Sequence, residues 1–304
     1  MQTFCCGSAL KSYDAAVAFL GQAASGAARQ RAHTNETLAL AALRLRERDP
    51  QSCALFAAAA QQYDLRDAWL GAAVSYHLHG NPAEAGSALV QVLSRYAHQM
   101  LPRLVDEIVA ATGACGWAAL YSSGRIAVRL LRPAARARPP AVSLDGTPLG
   151  LRLGANQTFA ARLPAGWRRA ALLQIRCDGR EILGDRIQVR QIARVEGSAD
   201  TWNGALHGWA WCPNDPDHEP VLSVVSVVGG AAIVVTATDQ AADVELDTPL
   251  ARPRGFALAA HRLRSFDGPV RIYGENGQEL RGSPLDPSME RRSAEAAPDE
   301  GERH

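Results

Sequence analysis

The 304-residue sequence is almost without lysine: Lys11 is the only one, and arginine supplies the rest of its 32 basic side chains. Those arginines are scattered among 31 acids, and the net charge is +1. That balance excludes the broad basic field that holds nucleic acid or an anionic membrane. The densest basic cluster, Arg129, Arg132, Arg136 and Arg138, sits in a Pro/Ala-rich stretch without interleaved aromatics. No two cysteines are spaced C-x-x-C; Cys5, Cys6, Cys53, Cys115, Cys177 and Cys212 are dispersed and read as reduced thiols of a cytoplasmic protein. No basic segment followed by an apolar core opens the chain, so no secretion signal is expected. The one long uncharged stretch, 220–238, is valine-rich and broken by Ser223, Ser226 and Gly229-Gly230. It reads as a β-hairpin with a primed turn, not as a membrane span. G-x-S-x-G, P-loop and dinucleotide fingerprints are missing too, and no catalytic residue, cofactor or metal is assigned.

What is present is a pattern stated twice. Gly124-Arg125-Ile126, with a strand-like run to Arg132-Pro133, has a counterpart in Gly204-Ala205-Leu206 running to Cys212-Pro213. Cys177-Asp178-Gly179-Arg180-Glu181-Ile182-Leu183-Gly184 matches Glu275-Asn276-Gly277-Gln278-Glu279-Leu280-Arg281-Gly282 at a larger offset. An insertion in the second copy, placed mainly between 238 and 253, accounts for the growth. The copies predict two small antiparallel β-sandwich domains in tandem, at 120–192 and 193–283. Strands are expected at 125–131, 141–144, 149–153, 158–163, 170–176 and 182–189. In the second copy they are expected at 194–199, 205–212, 221–228, 231–237, 255–261 and 269–274. Asp145-Gly146 and Asp178-Gly179 are hairpin turns of the first copy, with Gly229-Gly230 and Asn276-Gly277 in their places in the second.

Residues 1–115 read as a helical, repeat-like domain, so the fold class is α+β and multidomain. Breaks at Asp49-Pro50, Tyr63-Asp64, Gly80-Asn81-Pro82 and Leu101-Pro102 separate runs of helix length. The clearest pair is 66–79 and 82–96. Trp69, Ala73, Tyr76, Gly80, Ala85 and Leu89 stand at the spacings of a tetratricopeptide repeat, which this pair resembles. A weaker unit runs through Leu38, Ala42 and Leu45 to Cys53, Phe56 and Ala60, and 9–30 are expected to supply a capping helix. Residues 284–304 are a charged tail or linker, with a short surface helix near 286–296.

The most distinctive segment is Leu206 to Asp217. On a strand, His207, Trp209 and Trp211 face one way and Leu206, Gly208, Ala210 and Cys212 the other. Exposed aromatic rings can stack on sugars while Asp215 bonds hydroxyls, which makes Trp209, Trp211, His207 and Asp215 candidate carbohydrate contacts. The competing readings are that the tryptophans form the second core, or that Gly208 and Ala210 are small because something packs close to them. Asp215-Pro216-Asp217 has the form of a cation-holding acid pair, but it lies in a Pro-rich loop and is read as solvated acids. Trp69 and Tyr76 are candidate partner-binding residues of a helical groove.

At the Trp209 strand the chain resembles a β module of large bacterial family 2 glycosyltransferases. Gly208–Trp211, the loop Asn214–Asp217, the valine-rich hairpin Val221–Val235 and the strand at Gly255-Phe256 carry the likeness. Gly282-Ser283-Pro284-Leu285-Asp286-Pro287 and Glu290-Arg291-Arg292-Ser293 are similar to the linker that leads into the catalytic domain of that family. That catalytic domain is absent from this sequence. The resemblance implies a non-catalytic accessory or scaffold region of glycan or polysaccharide assembly, acting through protein or carbohydrate contacts. The alternatives are a protein–protein adaptor working through the helical groove, and a truncated N-terminal fragment of a glycosyltransferase.

Overall fold

The structure, a computed structural model, describes residues 32–98, 102–131, 139–154, 157–241, 250–266 and 268–287, with isolated positions between 241 and 250. The proposed capping helix at 9–30 and the tail helix beyond 287 lie outside the described residues. The chain divides into two units, Met1–Ile192 with Asp247–Leu250, and Ala193–Leu246 with Ala251–His304. The fold is α+β: helices come first and small antiparallel sheets follow. Among the described residues no helix is long and apolar enough to cross a membrane.

Among the described residues the first unit opens with five helices: α1 (Ala32–Arg46), α2 (Gln51–Tyr63), α3 (Arg66–Leu78), α4 (Pro82–Arg95) and α5 (Pro102–Thr112). The breaks have local causes. Asp64 ends α2 in the left-handed region (φ 49°), Gly80 turns the chain at φ 75°, and Pro82 opens α4 where its missing N–H costs nothing. Each helix packs chiefly on the next. Small residues set the approach: a Cβ on Gly71 would lie 2.3 Å from the Phe56 ring. Ser52 and Ser75 share a buried hydroxyl–hydroxyl bond of 2.5 Å between α2 and α3.

Among the described residues the same unit continues into nine short strands. These are β1 (Gly116–Leu120), β2 (Arg125–Leu130), β3 (Ala141–Leu144), β4 (Thr147–Leu149), β5 (Arg152–Leu153), β6 (Thr158–Arg162), β7 (Leu173–Arg176), β8 (Ile182–Leu183) and β9 (Arg186–Ile187). A one-turn helix, α6 (Val189–Ile192), closes the unit. The strands form two sheets, ordered β5-β6-β2-β1-β8 and β4-β3-β7-β9. All pairings are antiparallel except that β8 runs parallel to β1. Alternation divides the faces. Ile126, Val128 and Leu130 of β2 point inward with Leu120, and meet Leu144, Leu173 and Ile187 of the other sheet in one buried cluster. The opposite face of the larger sheet is roofed by the helices, since Trp117, Ala119 and Leu183 belong to the helical core. Trp117 Nε1 donates to Asp106 Oδ1 of α5 at 2.9 Å, and Arg129 pairs with Asp106 Oδ2 at 2.6 Å. Desolvation raises the pKa of Asp106, while these two donors oppose the shift.

The second unit contains β10 (Glu196–Trp202), β11 (Ala205–Trp211), β12 (Val221–Ser226), β13 (Ala232–Thr236), β14 (Asp239–Gln240), β15 (Arg254–Leu258) and β16 (Val270–Gly274). Its sheets are ordered β14-β15-β11-β10 and β13-β12-β16. Strand for strand this is the first module again: β10, β11, β12, β13, β14, β15 and β16 take the places of β1, β2, β3, β4, β5, β6 and β7. The match extends to the ends. Ser198 bridges Arg281 in parallel, as Trp117 pairs with Leu183, and Val270 bridges Leu285 as Leu173 pairs with Ile187. A short 3-10 turn precedes the last long strand in both, at Trp167–Arg169 and Ala260–Leu263.

The small changes of offset have geometric reasons. The first hairpin closes through three residues, Ser122 to Gly124, with Tyr121 N bonding Arg125 O at 2.9 Å. Its counterpart needs two, Asn203 (φ 52°) and Gly204 (φ 70°). After β7, Asp178 and Gly179 make a two-residue turn, with Arg180 N on Cys177 O at 2.7 Å. After β16 a third residue is added: Gly277 N bonds Gly274 O at 2.9 Å and Gly274 N bonds Gln278 O at 2.8 Å.

Several local expectations are corrected. The strand Gly116–Leu120 is not among those the sequence suggested; it has no polar alternation because it is buried on both faces. The run 182–189 is two short strands split by Gly184, and 255–261 ends at Leu258 in the 3-10 turn. A hairpin does form around Gly229-Gly230, but not with a primed turn. Neither glycine has positive φ, and the loop is held by Ser226 Oγ, which accepts from Val228 N (3.2 Å) and Gly229 N (3.0 Å).

Gly184 and Gly282 hold equivalent places at the returning strand, with φ of 76° and 87°. A Cβ would lie 2.5 Å from Ala118 O in one and 2.2 Å from Ala199 O in the other. Gly184→Ala and Gly282→Ala are each expected to cost about 2–4 kcal/mol in urea unfolding. Gly230→Ala, where nothing lies within 4 Å, is expected to cost under about 0.5 kcal/mol.

Candidate functional site

The candidate surface is the face of the β14-β15-β11-β10 sheet that points away from the second core. The inward face is settled by burial: Leu206, Ala210, Cys212, Phe256 and Leu258 are in the buried cluster of the second unit. Neither tryptophan of β11 is in that cluster, although Trp211 is buried outside it. The small residues are small for contact reasons. A Cβ on Gly208 would meet Ser198 O at 2.2 Å and Phe256 Cζ at 2.8 Å.

On the outward face, register places His207 between Asp200 and Ala257, and Trp209 between Ser198 and Gly255, with Asp239 next beyond Gly255. Trp202 lies on the same face and is 70% exposed. Asp200, Asp239 and Ala257 are exposed as well, and His207 and Trp209 are half-buried. Small side chains on both flanks of Trp209 leave room beside its indole. Trp202 and Asp200 escaped the sequence reading because β10 extends to 202, past the predicted end at 199; two more alternating positions were the available signal.

Two of the four predicted carbohydrate contacts lie elsewhere in burial. Trp211 is 2% exposed, and its Nε1 is buried without a hydrogen-bond partner. Asp215 is fully buried in the turn after β11, where its N bonds Cys212 O and its O accepts His218 N. The neighbouring loop groups are engaged: Asp217 pairs with Arg252, and His218 Nε2 meets Glu275 Oε2 at 2.5 Å. Among the described residues no cluster of three or more His, Cys, Asp or Glu could hold a metal ion.

The predicted groove residues of the helices are packed. Trp69 Nε1 donates to Asp64 Oδ1 at 3.0 Å, and both Trp69 and Tyr76 lie against the helical core. Asp64 also accepts from Tyr96 Oη (3.0 Å) and pairs with Arg95. Burial first, and then Asp64, pushes the Tyr96 hydroxyl pKa well up.

One buried titratable group stands out in the first unit. His98 is 2% exposed, and neither ring nitrogen has a partner. Its ring lies 5.3 Å from Trp117 and 4.9 Å, edge-on, from Tyr121. Burial, followed by Arg66 and Arg125, lowers its pKa from 6.5 to about 4. The unfolded chain therefore takes up a proton between those values while the folded chain does not. The stability of the first unit is expected to fall by about 3 kcal/mol as the pH drops from 6.5 to 4. Urea unfolding followed against pH checks this, and His98→Phe should flatten that part of the profile.

No known protein family matches the chain, and no curated protein does. A solved structure, a pullulanase complexed with maltotriose from Anoxybacillus sp. LM18-11, is similar at 10% identity with a TM-score of 0.21. That likeness covers 54% of this chain and 24% of the pullulanase chain. The chain thus spans about a quarter of that protein's length, and a likeness this slight carries no argument here.

Proposed function

We propose that this is a non-catalytic accessory region of bacterial glycan assembly that holds saccharide on the outward face of its second β module. In this reading the helices are a repeat-like bundle of tetratricopeptide type, and the strands form two sandwiches descended from one duplicated module. The protein works in the cytoplasm beside a glycosyltransferase activity. The observation that carries the saccharide assignment is a difference between equivalent faces. In the first module this face is closed by helices through Trp117, Arg129 and Asp106. In the second unit no described helix is longer than a turn, and the matching strands present Trp202, His207, Trp209 and Asp200. An indole offers an apolar plane to the C–H face of a sugar, while Asp200 accepts hydroxyl protons and His207 can donate or accept.

Calorimetric titration of the full chain with a panel of uncharged oligosaccharides tests the reading. Binding is expected, with Trp209→Ala and Trp202→Ala each weakening it by about tenfold, or about 1.4 kcal/mol. No heat with any glycan, unchanged in the Trp209→Ala variant, would remove the carbohydrate assignment.

A further inference from the structure

We infer that Cys115 and Cys177 are a redox pair, a site of reversible disulfide formation with a low-molecular-weight disulfide of the glutathione type. The two thiols come from different sheets of the first module. Cys115 immediately precedes β1, and Cys177 immediately follows β7. Cys115 N donates to Glu181 O at 3.0 Å, which sets it beside the turn Cys177–Arg180. Cys177 belongs to the buried cluster against which the half-buried Cys115 packs, and it is near enough to raise the Cys115 thiol pKa. Arg180 Nη2 donates to Cys177 Sγ at 3.2 Å.

The turn, Cys177 included, lines a cavity of about 570 Å3 together with Val90 of α4 and the strand residues up to Asp185, whereas Cys115 lies outside that lining. Cys115 is half-buried and Cys177 is 6% exposed, so the outer thiol is the one a small oxidant meets first. The other described cysteines are placed differently. Cys53 Sγ bonds Ser75 Oγ at 3.2 Å, and Cys212 lies in the second core. The second module has no such pair, because Glu196 and Gly274 stand at the equivalent positions.

The chemistry balances in two exchanges. The Cys115 thiolate attacks one sulfur of the glutathione disulfide; a mixed disulfide forms, and one glutathione leaves and takes a proton. The Cys177 thiolate then attacks Cys115 Sγ, breaking the mixed disulfide and releasing the second glutathione, which is likewise protonated. Two electrons pass from the protein sulfurs to the oxidant. Burial, and then the neighbouring Cys177, raises the Cys115 thiol pKa, so the first step should quicken as the pH rises.

The test equilibrates the folded full chain with mixtures of reduced and oxidised glutathione, then maps thiols by differential alkylation and peptide mass. The expected result is a Cys115–Cys177 disulfide that accumulates with oxidised glutathione and returns to two thiols with excess reduced glutathione. Cys177→Ser should stop at Cys115 carrying glutathione, and Cys115→Ser should leave Cys177 unmodified. The oxidised chain should also unfold at a higher temperature, because the bond joins two sheets. Full alkylation of both cysteines at every glutathione ratio would overturn the inference. So would a disulfide that forms only after unfolding, or a Cys177→Ser chain whose Cys115 stays free.

Discussion

Two glycines let each β module return alongside the strand that began it. Gly184 and Gly282 sit in the left-handed region, with space for a hydrogen atom and no more against the carbonyls of Ala118 and Ala199. The residues just before them, Leu183 and Arg281, can then pair in parallel with Trp117 and Ser198. That return delivers Ile187 and Leu285 to the second sheet of their own modules, where they pair with Leu173 and Val270. Each module thus has its last segment bridging both sheets, and one buried cluster fills the space between. A side chain at either glycine would press on backbone, which has no rotamer to give way.

Against that common frame, what differs between the modules is what the larger sheet carries on its outer face. In the first, Trp117 and Arg129 converge on one carboxylate of α5, and His98 is enclosed beside Trp117. In the second, the positions equivalent to Trp117 and Arg129 are Ser198 and Trp209, and no described helix of that unit lies over them. The first module uses the face to join its helices. We read the second as using it to hold a ligand, and the aromatic and acidic side chains there are the residue types that reading requires.

Much of this frame is legible in the amino-acid sequence. Helix breaks at Asp64 and Gly80 were visible because left-handed geometry and proline leave few choices. The strands expected at 141–144 and 205–212 were visible because their inward residues, Val142, Leu144, Leu206 and Ala210, are buried, while the one expected at 231–237 alternates only between half-buried and exposed over Ala232–Thr236. The missed strand, Gly116–Leu120, is buried on both sides, and its small apolar residues look like a helix end; only its helical roof explains it. Gly229-Gly230 misled in detail because a serine hydroxyl satisfies the loop that a primed turn would otherwise satisfy. Alternation puts His207, Trp209 and Trp211 on one face but does not give depth of cover, and Trp211 is buried; Asp215, in the turn after the strand, is buried as well. Trp202 and Asp200 needed the true length of β10, and the Cys115–Cys177 contact, between residues far apart in sequence, needed the fold.

The most direct test of the shared frame is amide NMR of the full chain, read for contacts across the two returning strands. The account predicts parallel-strand contacts between Ser198 and Arg281 matching those between Trp117 and Leu183. Contacts in one module and their absence in the other would contradict it.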